Sequence, residues 1–446
     1  MKWAYFIVVV LFASSYSLNS AAQNKTKIVY LNGIINQYHN EMTVEDMSEL
    51  KDLMLPDGAR TFLPDSNGKF SVQFKIAAPN YFRIGRNILY LSPGDKLTLN
   101  LNHNRADSAS FTGTHSAENE YLRNTPFPKG GSFLEAGTNL KATPEETIDA
   151  IIKAGERRTA TLNQYKNISP AFRELEQARI KADIINSISM IDVYFAYKHK
   201  LKGDSLTSFK AVCEKITTPK IAAYDNGFTN ASYLQLVVYR DIADIITRHN
   251  TSGKKAIEDW MAAEKIVSTI KYLSDKNSIA LYKDSAKTIQ SPNYRRAVNA
   301  TLNQLLSFGN GDTAKDFVFI NSTDEAIHLN TYKGKVIYID LWATWCGPCI
   351  EEMPAMEKLK AQYSSNPDIV FLTLSIDDNF GLWKQFIITK SMSGTLGIID
   401  RNKLNDYKIT GVPRIIVIDK NFKIAAMNGT LPSSKSTTTL LDGLLK

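Results

Sequence analysis

The sequence predicts a chain of several domains: a β-rich module first, a central α-helical region, and an α/β domain at the C-terminal end. Three observations carry this reading. The chain has 446 residues, room for about three domains at roughly 100–200 residues each. Apolar residues alternate with period two in the first hundred positions and fall into helical patterns in the middle. After Asp312 strand-like and helix-like runs alternate, the pattern of a central sheet flanked by helices. Hydrophobic content of 43% and charged content of 22% are ordinary for a globular protein and exclude a mostly disordered or fibrous chain.

The elements follow in order. Residues 1–22 have the form of a secretory signal peptide. Lys2 supplies the positive start, Trp3 to Ala13 the apolar run, and Ser20-Ala21-Ala22 the small residues suited to cleavage before Gln23. The apolar run is too short for a membrane span, which needs about 20 residues; an uncleaved anchor is the alternative. No cysteine precedes Cys213, so a lipid-anchored N-terminal cysteine is excluded. The mature protein is expected to be exported, to the periplasm in a Gram-negative cell.

Residues 23–120 form the β-rich module. Phe70, Val72, Phe74 and Ile76 alternate with Ser71, Gln73 and Lys75, and Leu97, Leu99 and Leu101 alternate with Thr98, Asn100 and Asn102. Asp65-Ser66-Asn67-Gly68 and Pro93-Gly94-Asp95 punctuate them as turns. The first of these is no calcium loop, because with Gly68 in sixth place Leu63 would hold the first ligand position.

Residues 140–308 form the helical region. Thr143-Pro144-Glu145-Glu146 combines a capping threonine, a first-turn proline and a glutamate three residues on. Ser169-Pro170 opens a second helix, a polar break is expected near Gly203-Asp204, and further helices at Tyr233–Arg248 and Lys255–Leu273. Phe308-Gly309-Asn310-Gly311-Asp312 reads as a Gly-rich hinge. The α/β domain, 312–446, then carries strands at Val336–Trp342, Ile369–Ser375, Arg414–Asp419 and Lys423–Met427. Helices are expected from Cys346 to Tyr363, around Leu382–Lys390 and near Ser434–Leu444.

The net charge of +8 lies entirely upstream of Asp312, since the 15 Lys and Arg from there onward match 15 Asp and Glu. No basic run or basic-aromatic interleaving marks a nucleic-acid partner. Three cysteines exclude a disulfide scaffold and fall short of an all-cysteine zinc site.

The chemistry concentrates in Trp342-Ala343-Thr344-Trp345-Cys346-Gly347-Pro348-Cys349. An apolar strand ends here and a helix begins at the first cysteine. The helix start places the Cys346 sulfur beside unpaired N–H groups and the positive end of the helix dipole, which favours the thiolate. Two intervening residues bring Cys349 back onto the same turn, where it can close a disulfide with Cys346 or attack a mixed disulfide formed there. A zinc knuckle would need a second ligand pair, and only the distant Cys213 remains. A purely structural disulfide in so tight a loop would remove little unfolded-chain entropy.

The segment from Asp312 onward resembles exported thioredoxin-fold domains of the TlpA/ResA type. W-A-T-W-C-G-P-C is close to that family's active-site motif. The resemblance implies that Asp340, six residues before Cys346, is the buried acid assisting proton transfer, and that Pro354 kinks the helix. It implies that Gly411-Val412-Pro413 is the loop whose cis-proline faces the disulfide. Catalytic roles are thus expected for Cys346, Cys349, Asp340 and Pro413, with Trp345, Gly347, Pro348 and Val412 around them and no cofactor or metal. Thr373 stands where many thioredoxins carry a lysine near the buried acid. Arg414 is expected in solvent. The first two-thirds loosely resembles N-terminal regions found on such proteins in Bacteroidetes, which implies no activity.

The implied function is thiol-disulfide exchange, reducing protein disulfides with electrons from a membrane thiol-electron transporter. The partners are then protein dithiols and disulfides. Two alternatives are a cell-envelope binding or assembly protein with a subsidiary thioredoxin domain, and a thiol peroxidase. Peroxiredoxin sites usually carry Thr or Ser three residues before the reactive cysteine and proline four before that, where this chain has Ala343 and Ile339. Cys213, in the apolar stretch Phe209–Cys213, reads as a small core hydrophobe. Cys213→Ala should leave a redox titration of the Cys346/Cys349 pair unchanged; a shifted midpoint would give Cys213 a redox role.

Overall fold

The computed structural model describes residues 26–38, 42–55, 60–125, 132–273, 275–377, 379–409 and 411–446. The expected signal segment lies outside the described residues. Within them the layout is the one expected: mostly strands from Lys27 to Gly113, helices from Ser116 to Ser307, and an α/β domain from Val318 to Leu445. No helix among the described residues is long and apolar enough to cross a membrane.

The first sheet runs in the order Lys69–Ile76, Lys27–Asn36, Lys96–Asn102, Ser110–Gly113. Leu31 pairs with Val72 on one side and Leu97 on the other, so the alternation seen in the sequence becomes one shared apolar face. Gly33 is required here, because a Cβ would lie 1.9 Å from the Leu99 carbonyl oxygen. A second sheet orders Glu45–Asp46, Asn80–Ile84 and Asn87–Leu91. The strand Asn87–Leu91 is buried along its whole length. Leu89 and Leu91 enter the β core, while Ile88 and Tyr90 enter the core of the helical region.

That second contact is reinforced by buried charge. Arg158 reaches Asp183 at 2.5 Å and Glu176 at 3.2 Å, and Glu176 accepts a 2.8 Å hydrogen bond from the Tyr81 hydroxyl of the β module. The helix starts at Pro144 and Pro170 carry the expected caps, Thr143 Oγ1 accepting from the Glu146 N–H and Ser169 Oγ from the Phe172 N–H.

One helical expectation differs from the structure. Tyr233–Arg248 is broken into a 3-10 turn, Ala231–Gln235, and two short helices, Val237–Asp241 and Ala243–His249. Leu236 and Ile242, the residues at the breaks, are buried, so tertiary packing overrides local helical continuity. The break expected near Gly203-Asp204 falls at residues 199–202, and Gly203 opens the helix Gly203–Asp225, where Ser205 Oγ accepts from the Lys202 N–H. Cys213 sits on this helix, 1% exposed and unpaired, with burial pushing its thiol up to about 11.

The C-terminal sheet has seven strands: Ala326–His328, Val318–Asn321, Thr395–Ile398, Ile369–Ser375, Val336–Trp342, Arg414–Ile418 and Ile424–Gly429, in that order. Val336–Trp342 runs parallel to Ile369–Ser375 and antiparallel to Arg414–Ile418. Ile337, Ile339 and Leu341 pack with Trp383 and Ile387 on one face. Val336 and Tyr338 pack with Met356, Leu359 and Leu441 on the other. Helices therefore cover both sides of the strand.

The Gly-rich segment read as a hinge is pinned. The Gly311 N–H donates to the Ile424 carbonyl, the Met427 N–H to Asn310 Oδ1 and the Gly309 N–H to Asp312 Oδ2, each at 2.8 Å. Phe308 packs into the core of the α/β domain, edge-on to Tyr407 with ring centroids 5.4 Å apart.

Arg158→Leu would leave buried Asp183 without its ion pair and Glu176 with only the longer contact to Arg179. It should destabilise the protein by about 3–5 kcal/mol, read as a lower midpoint in denaturant unfolding.

Candidate functional site

The central strand Val336–Trp342 delivers the chain to the C-terminal edge of the sheet, and the helix Gly347–Gln362 begins five residues later. Cys346 is its N-cap, and Cys346 Sγ accepts a 3.2 Å hydrogen bond from the Cys349 N–H. Gly347 and Pro348 form the first turn; proline there gives up only an N–H that has no intrahelical partner. Cys346 and Cys349 are joined by a disulfide with a Cα–Cα separation of 5.3 Å. The residues are 4% and 5% exposed. Burial alone therefore does not distinguish the two sulfurs, whereas position on the helix does.

Asp340 shares the alternation of Val336 and Tyr338, and so faces the side of the sheet covered by the Cys346 helix. Its carboxyl is pushed up to about 7, chiefly by burial, with Glu352 adding to the shift and Lys360 opposing it. Both of those charges lie on the helix Gly347–Gln362. Thr373 is the strand neighbour of Asp340, and its buried hydroxyl has no hydrogen-bond partner among the described residues. The cation acting on Asp340 thus comes from Lys360 on the helix. Lys360 Nζ is held at 2.8 Å by both Glu357 and the Ser393 carbonyl.

The loop before the cysteines is fixed by a group the sequence reading did not single out. Asp377 accepts from the Thr344 N–H and hydroxyl, both at 2.8 Å, and from the Ser375 hydroxyl at 2.6 Å. Trp342 is buried, while Trp345 is 68% exposed beside the disulfide. The Val412–Pro413 peptide bond is cis, and Val412 packs against the same apolar cluster that holds Cys346 and Cys349. Arg414 is not in solvent: it is buried, with Nη1 3.4 Å from the Met427 carbonyl, because its strand is covered on both faces.

Glu352 and Lys360 lie three and eleven residues beyond Cys349 on a helix that crosses the central strand. Their i+3 and i+11 spacing from that cysteine was the available signal. Asp377 had only its place just past the end of the neighbouring strand Ile369–Ser375 to mark it.

The Redoxin family pattern matches residues 309–438. The thioredoxin-like protein YneN of Bacillus subtilis (strain 168) is 32% identical over 112 residues, 25% of this chain and 65% of that protein. The thiol-disulfide oxidoreductase ResA of Geobacillus kaustophilus (strain HTA426) is 30% identical over 116 residues, 26% of this chain and 66% of that protein. This chain therefore spans a little under two-thirds of the length of these curated relatives. The crystal structure of a candidate thiol-disulfide oxidoreductase from Bacteroides vulgatus is 40% identical, covering 30% of this chain and 96% of that one with a TM-score of 0.29. The C-terminal third of the chain is a Redoxin domain, similar in sequence to the ResA thiol-disulfide oxidoreductases.

Proposed function

We propose that the protein is an exported thiol-disulfide oxidoreductase that reduces protein disulfides through Cys346 and Cys349. The observation that carries this is the Cys346–Cys349 disulfide at a helix N-terminus, on an element that also covers a carboxyl poised near neutrality. In the reduced protein the Cys346 thiolate attacks one sulfur of a substrate disulfide. That S–S bond breaks, the other substrate sulfur leaves as a thiolate, and a mixed disulfide joins Cys346 to the substrate. Cys349 then loses its proton to Asp340 and attacks Cys346 Sγ. The second substrate sulfur is released, and the two electrons gained by the substrate leave the protein as the closed Cys346–Cys349 bond. An external dithiol must reopen that bond, and a membrane thiol-electron transporter is the donor this reading requires. Gly347-Pro348 between the cysteines, as in reducing thioredoxins, supports the reducing direction, and the signal-like segment 1–22 supports action in the periplasm. The cis Val412–Pro413 loop completes the site.

Cys349→Ser should leave substrate proteins covalently trapped on Cys346, visible as reductant-sensitive adducts on a non-reducing gel. Cys346→Ser should trap almost none; equal trapping would reverse or erase these roles.

Asp340→Asn tests the proton acceptor. As pH rises through about 7 the carboxylate becomes available, so the rate of mixed-disulfide resolution should climb through that pH. In Asp340→Asn that limb should vanish and the rate at pH 8 should fall about 100-fold. The folded protein keeps this proton to about 7, against the ordinary 3.8. Stability is therefore lost as pH rises from about 4 to 7 and is level above. Relative to the parent, Asp340→Asn should gain melting temperature over that window.

A further inference from the structure

A cleft of about 1660 Å³ separates the Redoxin domain from the rest of the molecule. It is larger than the roughly 300–1,000 Å³ that suits a small ligand. One wall is the segment from Arg401 to Arg414, which includes Val412 and Pro413; Val412 packs on the cluster that holds both cysteines. The facing wall comes from the β module and the helical region, regions for which the exchange chemistry has no use. That wall presents Met47, Met54, Met261 and Trp260, flexible and aromatic surfaces that adapt to varied side chains.

The charge of the cleft is one-sided. Among the described residues its lining holds nine Lys or Arg against six Asp or Glu. Three of those acids are already held in ion pairs by lining arginines: Asp46 by Arg60, Glu45 by Arg83 and Asp52 by Arg240. The wall beside Pro413 contributes Arg401, Lys408 and Arg414 and no carboxylate. Among the described residues Lys271 Nζ donates to the Asp52 carbonyl and Lys408 Nζ to the Phe308 carbonyl, each at 3.0 Å, and neither makes an ion pair. Lys265, exposed on the opposite wall, makes no ion pair among the described residues.

We infer that this cleft is the docking site of the substrate polypeptide and takes an extended acidic segment flanking the substrate's disulfide. The inference rests on the exchange reading above and adds to it a substrate class and a role for the first two-thirds of the chain.

The test uses the full chain and two peptides of equal length, each with one internal disulfide, flanked by four acidic residues in one and four glutamines in the other. The acidic peptide should show a KM at least about fivefold lower at low salt, with the gap closing as salt rises. Lys265→Glu should shrink that preference about threefold or more, and Lys153→Glu, an equal change of net charge on an exposed helical position outside the cleft lining, should leave it intact. Equal KM values, or a preference indifferent to Lys265→Glu, would overturn the inference. Binding of serine-substituted versions of both peptides, followed by fluorescence anisotropy, needs no turnover. Should neither disulfide be reduced, the exchange reading fails by itself. The docking inference then stands or falls on whether the acidic peptide binds more tightly and loses that advantage in Lys265→Glu.

Discussion

The C-terminal domain depends on one strand that is buried at six of its seven residues. Val336–Trp342 is hydrogen-bonded on both edges and covered by helices on both sides. A position of this kind favours apolar side chains, and six of its seven residues supply them. Asp340 is the exception. Its carboxyl cannot be charged cheaply under the helix, and the same desolvation that opposes its charge places its titration where a proton acceptor for a thiol is useful. The cysteines follow from the same constraint. A strand buried on both faces must turn away at the sheet edge, and the helix that covers it must start there, which puts the Cys346 sulfur at the helix N-terminus.

The two remaining parts are joined by a similar device. Asn87–Leu91 turns alternate side chains into two different cores, and the Arg158 cluster ties Tyr81 of the β module to the helices. The β module and the helical region thus share an interior rather than touching at a surface.

Much of this was legible in the sequence. Period-two alternation gave Lys69–Ile76 and Lys96–Asn102 because each has one wet face. The threonine and serine caps with following prolines gave the helix starts because those contacts are local. The cysteine pair and the apolar strand before it were legible for the same reason. Tyr233–Arg248 misled because Leu236 and Ile242 answer to a core assembled from distant residues. Arg414 was misplaced because the burial of its strand depends on neighbours brought in by the sheet order. Lys360 and Asp377 escaped notice because their partners, Asp340 and Thr344, are reached across elements.

Phe308 lies before the glycines that look like a natural seam, yet its ring completes the core beyond them against Tyr407. Lys408 Nζ reaches back the other way to carbonyls at the end of the helix Pro292–Ser307, including Phe308 at 3.0 Å. The seam in the sequence and the seam in the packing are therefore offset. Any shuffling of this Redoxin domain onto another N-terminal partner, in a genome or at a bench, has a poor crossover at Gly309–Gly311, because Phe308 has to travel with the domain.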